Sequence, residues 1–524
     1  MIAHDLALLD RLDAIAATEP DRAAIIDAGG GTVSRARVAQ RTRAMAAGFT
    51  AAGLQPGDRV LFAVRPCATA LSLMTAIVEA GGVLVAAQPG VGDSLFESQM
   101  RLVQPRWVVA ESALLAAMSS RVVRRVLRWR GTTVPSIERL GSTRIVSVGR
   151  WWPGMPNALS LSEIERRGAG VNAAVPSAIY AADAPAFIVF TSGTTGAPKA
   201  VVHSRASLRA TLDVVGEQLD IRESDVLYAR DLHLALPALF AGARVIMPRN
   251  APFSAAVAAH TLEKHGVTHM FEVTAHCRML ADHLAAQGER LPATVRQVLI
   301  GAAPVHAAFL RGFRELLPSD ARAWCVYGMT EILPVATVEL EDKIAFAGDG
   351  DLVGAPVSGV TARISASGEL LVRGPHLFAG YLGDPPVHEH ATGDHARLDN
   401  GRIVLLGRGK DMIIRREHNI YPELHEPVIE TIPGVRRCAM VGVYDERIAD
   451  ERIVLAVESD GACDEPALMR TLQRELRHGS ARIDDAAQPD LIIFTPLPES
   501  GRSRKVDKHA LRALARARLE CESR

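Results

Sequence analysis

The chain has 524 residues, more than one hydrophobic core usually organises, so its length predicts at least two domains. Apolar residues make up 48% and charged residues 23%, with 42 glycines and 29 prolines, which excludes a disordered, collagen-like or coiled-coil protein. The 59 basic and 59 acidic residues give a formal net charge of +0, which argues against a nucleic-acid-binding protein because nothing draws the chain toward a polyanion.

The N-terminal part of the chain holds no predicted targeting or membrane-spanning segment. Residues Met1 to Glu19 mix acidic residues and an arginine with apolar ones, which predicts an amphipathic surface helix and not a signal peptide. The most apolar window, Ala68 to Ala87, is interrupted by Glu79 and two glycines, which favours a helix followed by a buried strand over a membrane span.

The cysteines indicate a reducing compartment. They lie far apart with no C-x-x-C pair, which favours reduced thiols over a zinc site or a disulfide framework and predicts a cytoplasmic location. The six cysteines are Cys67, Cys277, Cys325, Cys438, Cys463 and Cys521.

The pattern up to about residue 400 alternates short apolar runs with longer helical stretches. Val60 to Val64 precedes an alanine-rich helix, and Val83 to Ala87 follows it, as expected for βαβ units. The segment Arg121 to Arg130 holds five arginines and is predicted to be a solvated helix face. The sequence therefore predicts an α/β fold of layered sheets and helices for this part of the chain.

A glycine-bracketed charged joint around residues 397–410 is typical of a domain boundary. Beyond it, Cys438 to Val443 and Arg452 to Val457 are predicted strands, Glu465 to Arg477 is a predicted helix, and an Arg/Ala-rich helix closes the chain. We expect a large N-terminal α/β domain over 1–409 and a small, mobile α+β domain over 410–524.

Lysine is rare in this chain, which has only six among its 59 basic residues. A compact, flexible ammonium with three donors does what a planar guanidinium cannot, so each lysine is a candidate functional residue. Lys264 and Lys343 are predicted to be surface residues. The remaining lysines are Lys199, Lys410, Lys505 and Lys508.

A loop that follows a predicted strand carries the strongest local signal. The strand Ala186 to Phe190 runs into Thr191-Ser-Gly-Thr-Thr-Gly-Ala-Pro-Lys199, and a second apolar run, Ala200 to His203, follows. The amides and hydroxyls of such a loop can turn toward one anion, with Lys199 placed to meet it, so the loop predicts a polyphosphate site. It lacks the GK[ST] end of a Walker A motif, and a glycine-rich hairpin turn is the alternative interpretation.

This string resembles the phosphate loop of the adenylate-forming superfamily, which includes acyl-CoA synthetases, peptide-synthetase adenylation domains and luciferases. Further segments resemble that family's motifs in the expected order: Gly301-Ala302-Ala303-Pro304 beside adenine, Tyr327-Gly328-Met329-Thr330-Glu331 for adenine and magnesium, Gly393-Asp394 for ribose, Gly407-Arg408 with the companion arginine, Lys410 at the hinge, and Ser503 to Asp507 with the catalytic Lys505.

The resemblance implies an AMP-forming acid ligase that uses ATP and Mg²⁺. A carboxylic acid, most readily a fatty acid, attacks the α-phosphorus of ATP to give an acyl-adenylate and pyrophosphate, so positioning and electrostatic stabilisation dominate the chemistry. Lys199 and the loop residues Thr191, Ser192, Gly193, Thr194, Thr195 and Gly196 are implied to hold phosphates. Glu331 is implied to hold the metal, Thr330 the α-phosphate and Tyr327 the adenine. Lys505 is implied to bridge substrate carboxylate and α-phosphate.

The second step is left open by a departure from the family pattern. Acyl-CoA synthetases usually carry a Gly-Gly pair after the hinge, where this chain has Arg416 and Glu417. Transfer to CoA or a carrier-protein thiol is the first expectation. The stretches Tyr327 to Val335 and Leu234 to Gly242 resemble the β-lactone synthetase branch, in which the substrate's own hydroxyl expels AMP. Amide formation, adenylation alone, and a non-catalytic nucleotide-binding relative are further alternatives.

Several of these residues also have an interpretation that is structural and not functional. Asp394 also suits a turn, and Glu331 a loop cap. His203, His233 and His276 lie beside apolar runs and are predicted to be structural histidines. The run Leu234 to Ala241 suits either an aliphatic-binding wall or an ordinary core element, so the acid is not identified by the sequence.

Overall fold

The computed structural model describes residues 7–522 except 28–29, 87–92, 131, 170–180, 193–197, 249–251, 303–304, 306, 349, 409–412, 417, 421, 462–463 and 501–504. Among the helices described, none is long and apolar enough to cross a membrane. The helices are α1 Leu8–Thr18, α2 Arg35–Ala51, α3 Ala68–Glu79, α4 Asp93–Val103, α5 Ser112–Ser119, α6 Arg121–Trp129, α7 Leu161–Ala169, α8 Arg205–Gln218, α9 Leu232–Phe240, α10 Ala255–His265, α11 Thr274–Gln287, α12 Ala307–Arg314, α13 Leu340–Ala345, α14 Pro422–Ile429, α15 Glu465–His478 and α16 Lys508–Glu522.

Strands occur throughout the chain and alternate with these helices up to residue 345. They are β1 Ala23–Asp27, β2 Thr32–Ser34, β3 Arg59–Ala63, β4 Val83–Ala86, β5 Trp107–Glu111, β6 Arg144–Val148, β7 Leu159–Ser160, β8 Pro185–Ser192, β9 Pro198–Ser204, β10 Val226–Tyr228, β11 Arg244–Met247, β12 His269–Val273, β13 Gln297–Gly301, β14 Arg322–Met329, β15 Ile332–Glu339, β16 Asp351–Pro356, β17 Thr361–Ile364, β18 Glu369–Arg373, β19 Gly380–Tyr381, β20 His390–Asp399, β21 Arg402–Arg408, β22 Ile413–Arg415, β23 His418–Ile420, β24 Val435–Asp445, β25 Asp450–Ser459, β26 Leu491–Phe494, β27 Glu499–Ser500 and β28 Lys505–Val506.

Two large sheets organise the N-terminal part. One has thirteen strands, in the order β17-β18-β20-β21-β16-β15-β14-β13-β12-β10-β11-β1-β2, and the other has eight, in the order β19-β9-β8-β4-β3-β5-β6-β7. The strands β10 to β14 are mutually parallel, as are β3 to β6. Parallel strands bury both faces and present their carboxyl ends at one edge, where ligands of α/β proteins bind.

The C-terminal part has its own core. Two hydrophobic clusters draw their buried members only from residues 413–519, around the sheet β24-β25-β26 and the helices α15 and α16. The fold is therefore a large N-terminal α/β domain with a smaller C-terminal domain, as the sequence predicted. The boundary predicted between 409 and 410 lies outside the described residues and stays a prediction.

Several sequence predictions are confirmed locally. The window from Ala68 is a helix, α3, followed by the buried strand β4. The first segment forms the amphipathic helix α1, with Leu9 and Leu12 buried. The run Leu234 to Ala241 lies mostly in α9, whose residues from Leu234 to Phe240 are all buried in a core cluster or beside it, so it is a core helix.

The surface prediction for Lys343 was wrong. Its side chain is 5% exposed, and its ammonium donates to Asp351 at 2.6 Å and to the carbonyl oxygen of Leu352 at 2.9 Å. A buried ammonium is tolerated because a carboxylate and a carbonyl replace its water. Lys264, in contrast, is exposed as predicted.

Glu79, the charge that interrupts the most apolar window, is paired in the core. Its side chain is 0% exposed, and it accepts a hydrogen bond from Arg205 Nη2 at 2.8 Å. Arg205 also donates to the carbonyl oxygen of Val78 at 2.5 Å. Burial raises the pKa of Glu79, and the Arg205 guanidinium opposes that shift. The pair joins α3 to the start of α8 across 126 residues of chain.

We expect Glu79→Ala to lower the free energy of unfolding of the N-terminal domain by about 3 to 5 kcal/mol, because it leaves a buried guanidinium without its carboxylate. Urea denaturation followed by circular dichroism measures the change. The control is Glu163→Ala, which breaks a partly exposed ion pair with Arg167 on α7 and should cost about 0 to 1 kcal/mol. Equal destabilisation by the two variants would contradict a special role for the buried pair.

Candidate active site at the junction of the two sheets

The hairpin β8–β9 brings the two ends of the predicted phosphate loop together. Thr191 lies opposite Lys199, and Ser192 lies opposite Pro198, in antiparallel register. Thr191 and Lys199 are both half-buried. The loop residues Gly193, Thr194, Thr195 and Gly196 lie outside the described residues. The hairpin thus places the lysine beside the start of the loop, and the role of both in binding phosphate stays a prediction.

A tyrosine that the sequence analysis missed connects Lys199 with Glu331. The short strand β19 pairs with β9, and Tyr381 lies opposite Val201 in that pairing. The Lys199 Nζ atom lies 4.7 Å from the centroid of the Tyr381 ring. The Tyr381 hydroxyl donates to Glu331 Oε1 at 2.8 Å. One aromatic side chain therefore contacts the ammonium with its ring and the carboxylate with its hydroxyl.

Glu331 and Thr330 form a two-residue turn between β14 and β15, whose flanking residues Met329 and Ile332 pair. The backbone of this turn is held from two sides. His203 Nε2 donates to the carbonyl oxygen of Thr330 at 2.8 Å, and the amide of Phe378 donates to the carbonyl oxygen of Glu331 at 2.8 Å. The turn is thereby connected to β9 and to the segment that leads into β19.

His203 has a structural role, as predicted. Burial lowers its pKa, so the imidazole is held neutral with its proton on Nε2, the nitrogen that donates to Thr330. His276 is also buried, with Nδ1 2.6 Å from Glu272 Oε2. His233, in contrast, is exposed at the start of α9, and its structural role stays a prediction.

A second tyrosine, Tyr327, contacts the candidate ribose-binding residue. Its hydroxyl donates to Asp394 Oδ2 at 2.6 Å, and Asp394 is 6% exposed. Asp394 lies on β20 directly opposite Arg408 on β21. The backbone of Arg408 is thus beside Asp394, although its side chain is not among those described. The sequence predicted both residues but not the contact between Tyr327 and Asp394.

The candidate adenine segment reaches the same edge of the sheet. Gly301 ends β13, which runs parallel to β14 with Ile300 opposite Cys325. A Cβ at Gly301 would lie 3.3 Å from the carbonyl oxygen of Val326, so the glycine permits close packing beside Tyr327. Ala302 follows with a left-handed backbone, φ 65°. Ala303 and Pro304 lie outside the described residues.

The C-terminal candidate residues are only partly described. Lys505 begins β28, opposite Ser500 on β27, and its side chain is not among those described. Lys410 lies outside the described residues. The convergence of Lys505 with the other candidates therefore stays a prediction, whereas Lys199, Glu331, Tyr327 and Asp394 lie on elements that meet where the two large sheets join.

Known proteins resemble this chain over most of its length. Residues 12–382 match the family model described as AMP-binding enzyme. The olefin beta-lactone synthetase of Stenotrophomonas maltophilia is 31% identical, over 97% of this chain and 98% of that protein. The medium-chain fatty-acid–CoA ligase of Escherichia coli is 25% identical, over 86% of this chain and 81% of that protein.

A solved structure supports the fold. The amide bond synthetase McbA from Marinactinospora thermotolerans superposes with a TM-score of 0.77 at 24% identity, over 97% of this chain and 99% of that one. The matched family model, the relatives of similar length and the shared fold lead to one conclusion: the chain belongs to the AMP-binding, adenylate-forming family of ligases and synthetases.

Proposed function

We propose that the constellation of Lys199, Tyr381, Glu331, Tyr327 and Asp394 binds ATP and directs a carboxylate onto its α-phosphorus. The observation that carries the proposal is the contact of one tyrosine with both Lys199 and Glu331. The α–β phosphate bond breaks as the acyl–phosphate bond forms, so pyrophosphate leaves and an acyl-adenylate remains.

The phosphates of ATP bind at the hairpin end of the site. Lys199 and the hydroxyl of Thr191 lie at the two flanks of the loop and meet the β- and γ-phosphates, which gain negative charge as pyrophosphate departs. The hydroxyl of Thr330 faces the α-phosphate from the adjoining turn. Lys505 brings a further ammonium from the C-terminal domain to the carboxylate and the α-phosphate.

The donor set fits Mg²⁺ bound at Glu331. Among the described residues, no group of three or more histidine, cysteine or acidic side chains could hold a metal by itself. Mg²⁺ commonly takes one or two carboxylates and fills its other positions with phosphate and water oxygens, which matches a single Glu331 beside ATP. When bound there, the ion supplies positive charge to the phosphates.

The nucleoside of ATP binds beside β13, β14 and β20 of the thirteen-stranded sheet. Tyr327 offers an aromatic face to adenine, with Gly301 and Ala302 along the adjoining strand end. Asp394 accepts hydrogen bonds from the ribose hydroxyls, with its orientation fixed by the hydroxyl of Tyr327.

For the second step, closure of a β-hydroxy acyl-adenylate to a β-lactone is the better candidate. The relative with the highest identity given above carries that activity in its name and matches nearly the whole length of this chain. At the position of the usual glycines, the tip of the β22–β23 hairpin carries Arg416 with φ 54°, and its amide donates to the carboxylate of Asp450. An intramolecular hydroxyl needs no pantetheine passage past this charged tip.

Transfer of the acyl group to CoA or a carrier-protein thiol is the second candidate, supported by relatives named as CoA ligases. In either case the partner is a small carboxylic acid, most readily a fatty acid.

A cytoplasmic location stays a prediction. The described cysteines Cys67, Cys277, Cys325 and Cys438 are free, which is compatible with a reducing compartment.

Adenylation is tested by carboxylate-dependent ATP–pyrophosphate exchange. We expect wild-type exchange with a fatty or aromatic acid, and a loss of about 10²- to 10³-fold in Lys505→Ala, because a donor to the transition state is removed. Lys264→Ala, which truncates an exposed lysine on α10, is the control and should exchange at the wild-type rate. Absence of exchange with every acid would refute the enzyme assignment, and full activity of Lys505→Ala would refute the role of that lysine.

The bridging role of Tyr381 is tested by Tyr381→Phe. The ring beneath Lys199 remains, but the Glu331 carboxylate loses the hydrogen bond that the tyrosine hydroxyl donates to it. We therefore expect kcat/KM for exchange to fall about 10- to 100-fold and the Mg²⁺ concentration needed for activity to rise. Tyr381→Leu removes the ring as well and should also raise KM for ATP. Unchanged Mg²⁺ dependence in Tyr381→Phe would show that the hydroxyl does not orient Glu331.

The two second steps are separated by the product formed without CoA. With a 3-hydroxy fatty acid, ATP and Mg²⁺, lactone closure predicts AMP and a product lighter than the acid by one water, detected by mass spectrometry. The straight-chain acid without the hydroxyl is the matched control and should support exchange but give no such product. Turnover that begins only when CoA is added would assign the thioester reaction instead.

A further inference from the structure

We propose that α6 and the loop after β6 form a peripheral binding surface for an anionic lipid bilayer. The proposal is independent of the reaction assigned above, because neither element contributes a residue to the candidate active site.

The helix α6 has an apolar stripe that faces solvent. Val122, Val126 and Trp129 follow one another at helical spacing, and they are 73%, 46% and 77% exposed. No residue of this helix is buried. Apolar side chains on a surface helix normally face the core, so this stripe has the opposite orientation to the one expected for a protein in water alone.

One flank of the same helix is cationic. Positions 121, 124, 125 and 128 are arginines, which fall on one face when spaced around a 3.6-residue turn, about a third of a turn away from the apolar stripe. Arg121 and Arg125 are exposed, whereas Arg124 is half-buried. An arginine-rich face beside a valine and tryptophan stripe suits a helix that lies in the plane of a membrane interface, because exposed arginines reach phosphate headgroups while the apolar stripe enters the acyl boundary.

The helix is held in place by its own domain. Ser120 caps it by accepting a hydrogen bond from the amide of Val123 at 3.2 Å. Leu127 packs against the core cluster on one face of the eight-stranded sheet. The exposed stripe is therefore presented by a docked helix and does not require a rearrangement to reach solvent.

A second element presents aromatic side chains from the same side of the sheet. Trp151 and Trp152, in the loop after β6, are 73% and 53% exposed. The amide of Trp152 lies 3.4 Å from the sulfur of Met155, which packs against the same core cluster as Leu127. Three of the five tryptophans of the chain are thus exposed within residues 129–152. Tryptophan is the residue most characteristic of membrane–water interfaces.

The charge of the region favours an anionic surface. Residues 121–130 contain five arginines and no acidic residue, although the whole chain has a net charge of +0. Nucleic acid would use the arginines but would leave the valine stripe in water, and an acidic protein surface would not account for three exposed tryptophans. A bilayer with anionic headgroups accommodates both sets of side chains.

The test is co-sedimentation of the full-length protein with vesicles of phosphatidylcholine alone and with matched vesicles in which part of the phosphatidylcholine is replaced by phosphatidylglycerol. We expect binding to the anionic vesicles, weakened by salt, with weak or no binding to the neutral ones. Arg121→Glu/Arg125→Glu and Val122→Ser/Trp129→Ser should each weaken that binding about tenfold or more.

The control variant is Val257→Ser, which removes an exposed valine, 59% accessible, from α10. It should bind vesicles as the wild type does, and all three variants should retain wild-type ATP–pyrophosphate exchange in solution, which excludes misfolding. Equal binding to neutral and anionic vesicles, or undiminished binding by both double variants, would overturn the proposal. The proposal would also be overturned, in favour of a protein partner, if the protein did not bind vesicles and instead formed concentration-dependent dimers or complexes with acidic proteins. The double variants would then abolish those dimers or complexes.

Discussion

The site depends on a single bridging side chain, Tyr381, because it connects the hairpin of one large sheet with a turn of the other. Its ring lies beneath the Lys199 ammonium, and its hydroxyl donates to Glu331. An ammonium and a carboxylate would otherwise attract each other directly and neutralise the charges that we propose act on phosphate and metal. Interposing an aromatic ring with a hydroxyl keeps both groups near one another while leaving each available to an incoming ligand.

Hydrogen bonds to the backbone hold the turn that Tyr381 contacts. The carbonyl oxygens of Thr330 and Glu331 accept hydrogen bonds from His203 and Phe378, which connect the turn to β9 and to the segment that leads into β19. Burial lowers the pKa of His203, and the neutral imidazole keeps a third charge away from the region that we propose binds phosphate. Tyr327 lies on β14, the strand that leads into the same turn, and its hydroxyl contacts Asp394 on β20, so strands of one sheet connect the proposed phosphate and nucleoside ends of the site.

The amino-acid sequence predicted those structural features that depend on patterns of neighbouring residues. The strand β8, the alternation of strands and helices, and the C-terminal strands β24 and β25 all follow from runs of apolar residues between turn residues. Tyr381 was missed because its importance comes from two contacts, with residues 50 and 182 positions away in the chain, which no local pattern reveals. The scarcity of tyrosine, six in the whole chain, was a signal of the kind that drew attention to the lysines. Lys343 was misjudged for the related reason that its carboxylate partner follows a turn outside its own helix.

The central claim is that Lys199 and Glu331 act on one nucleotide. The most direct measurement is a crystal structure with a non-hydrolysable ATP analogue and Mn²⁺ in place of Mg²⁺, because Mn²⁺ can be located by its anomalous scattering. The account predicts an anomalous peak coordinated by Glu331 and by phosphate oxygens, with the terminal phosphates against Lys199 and the ribose at Asp394. A nucleotide bound elsewhere, or a metal peak remote from Glu331, would contradict it.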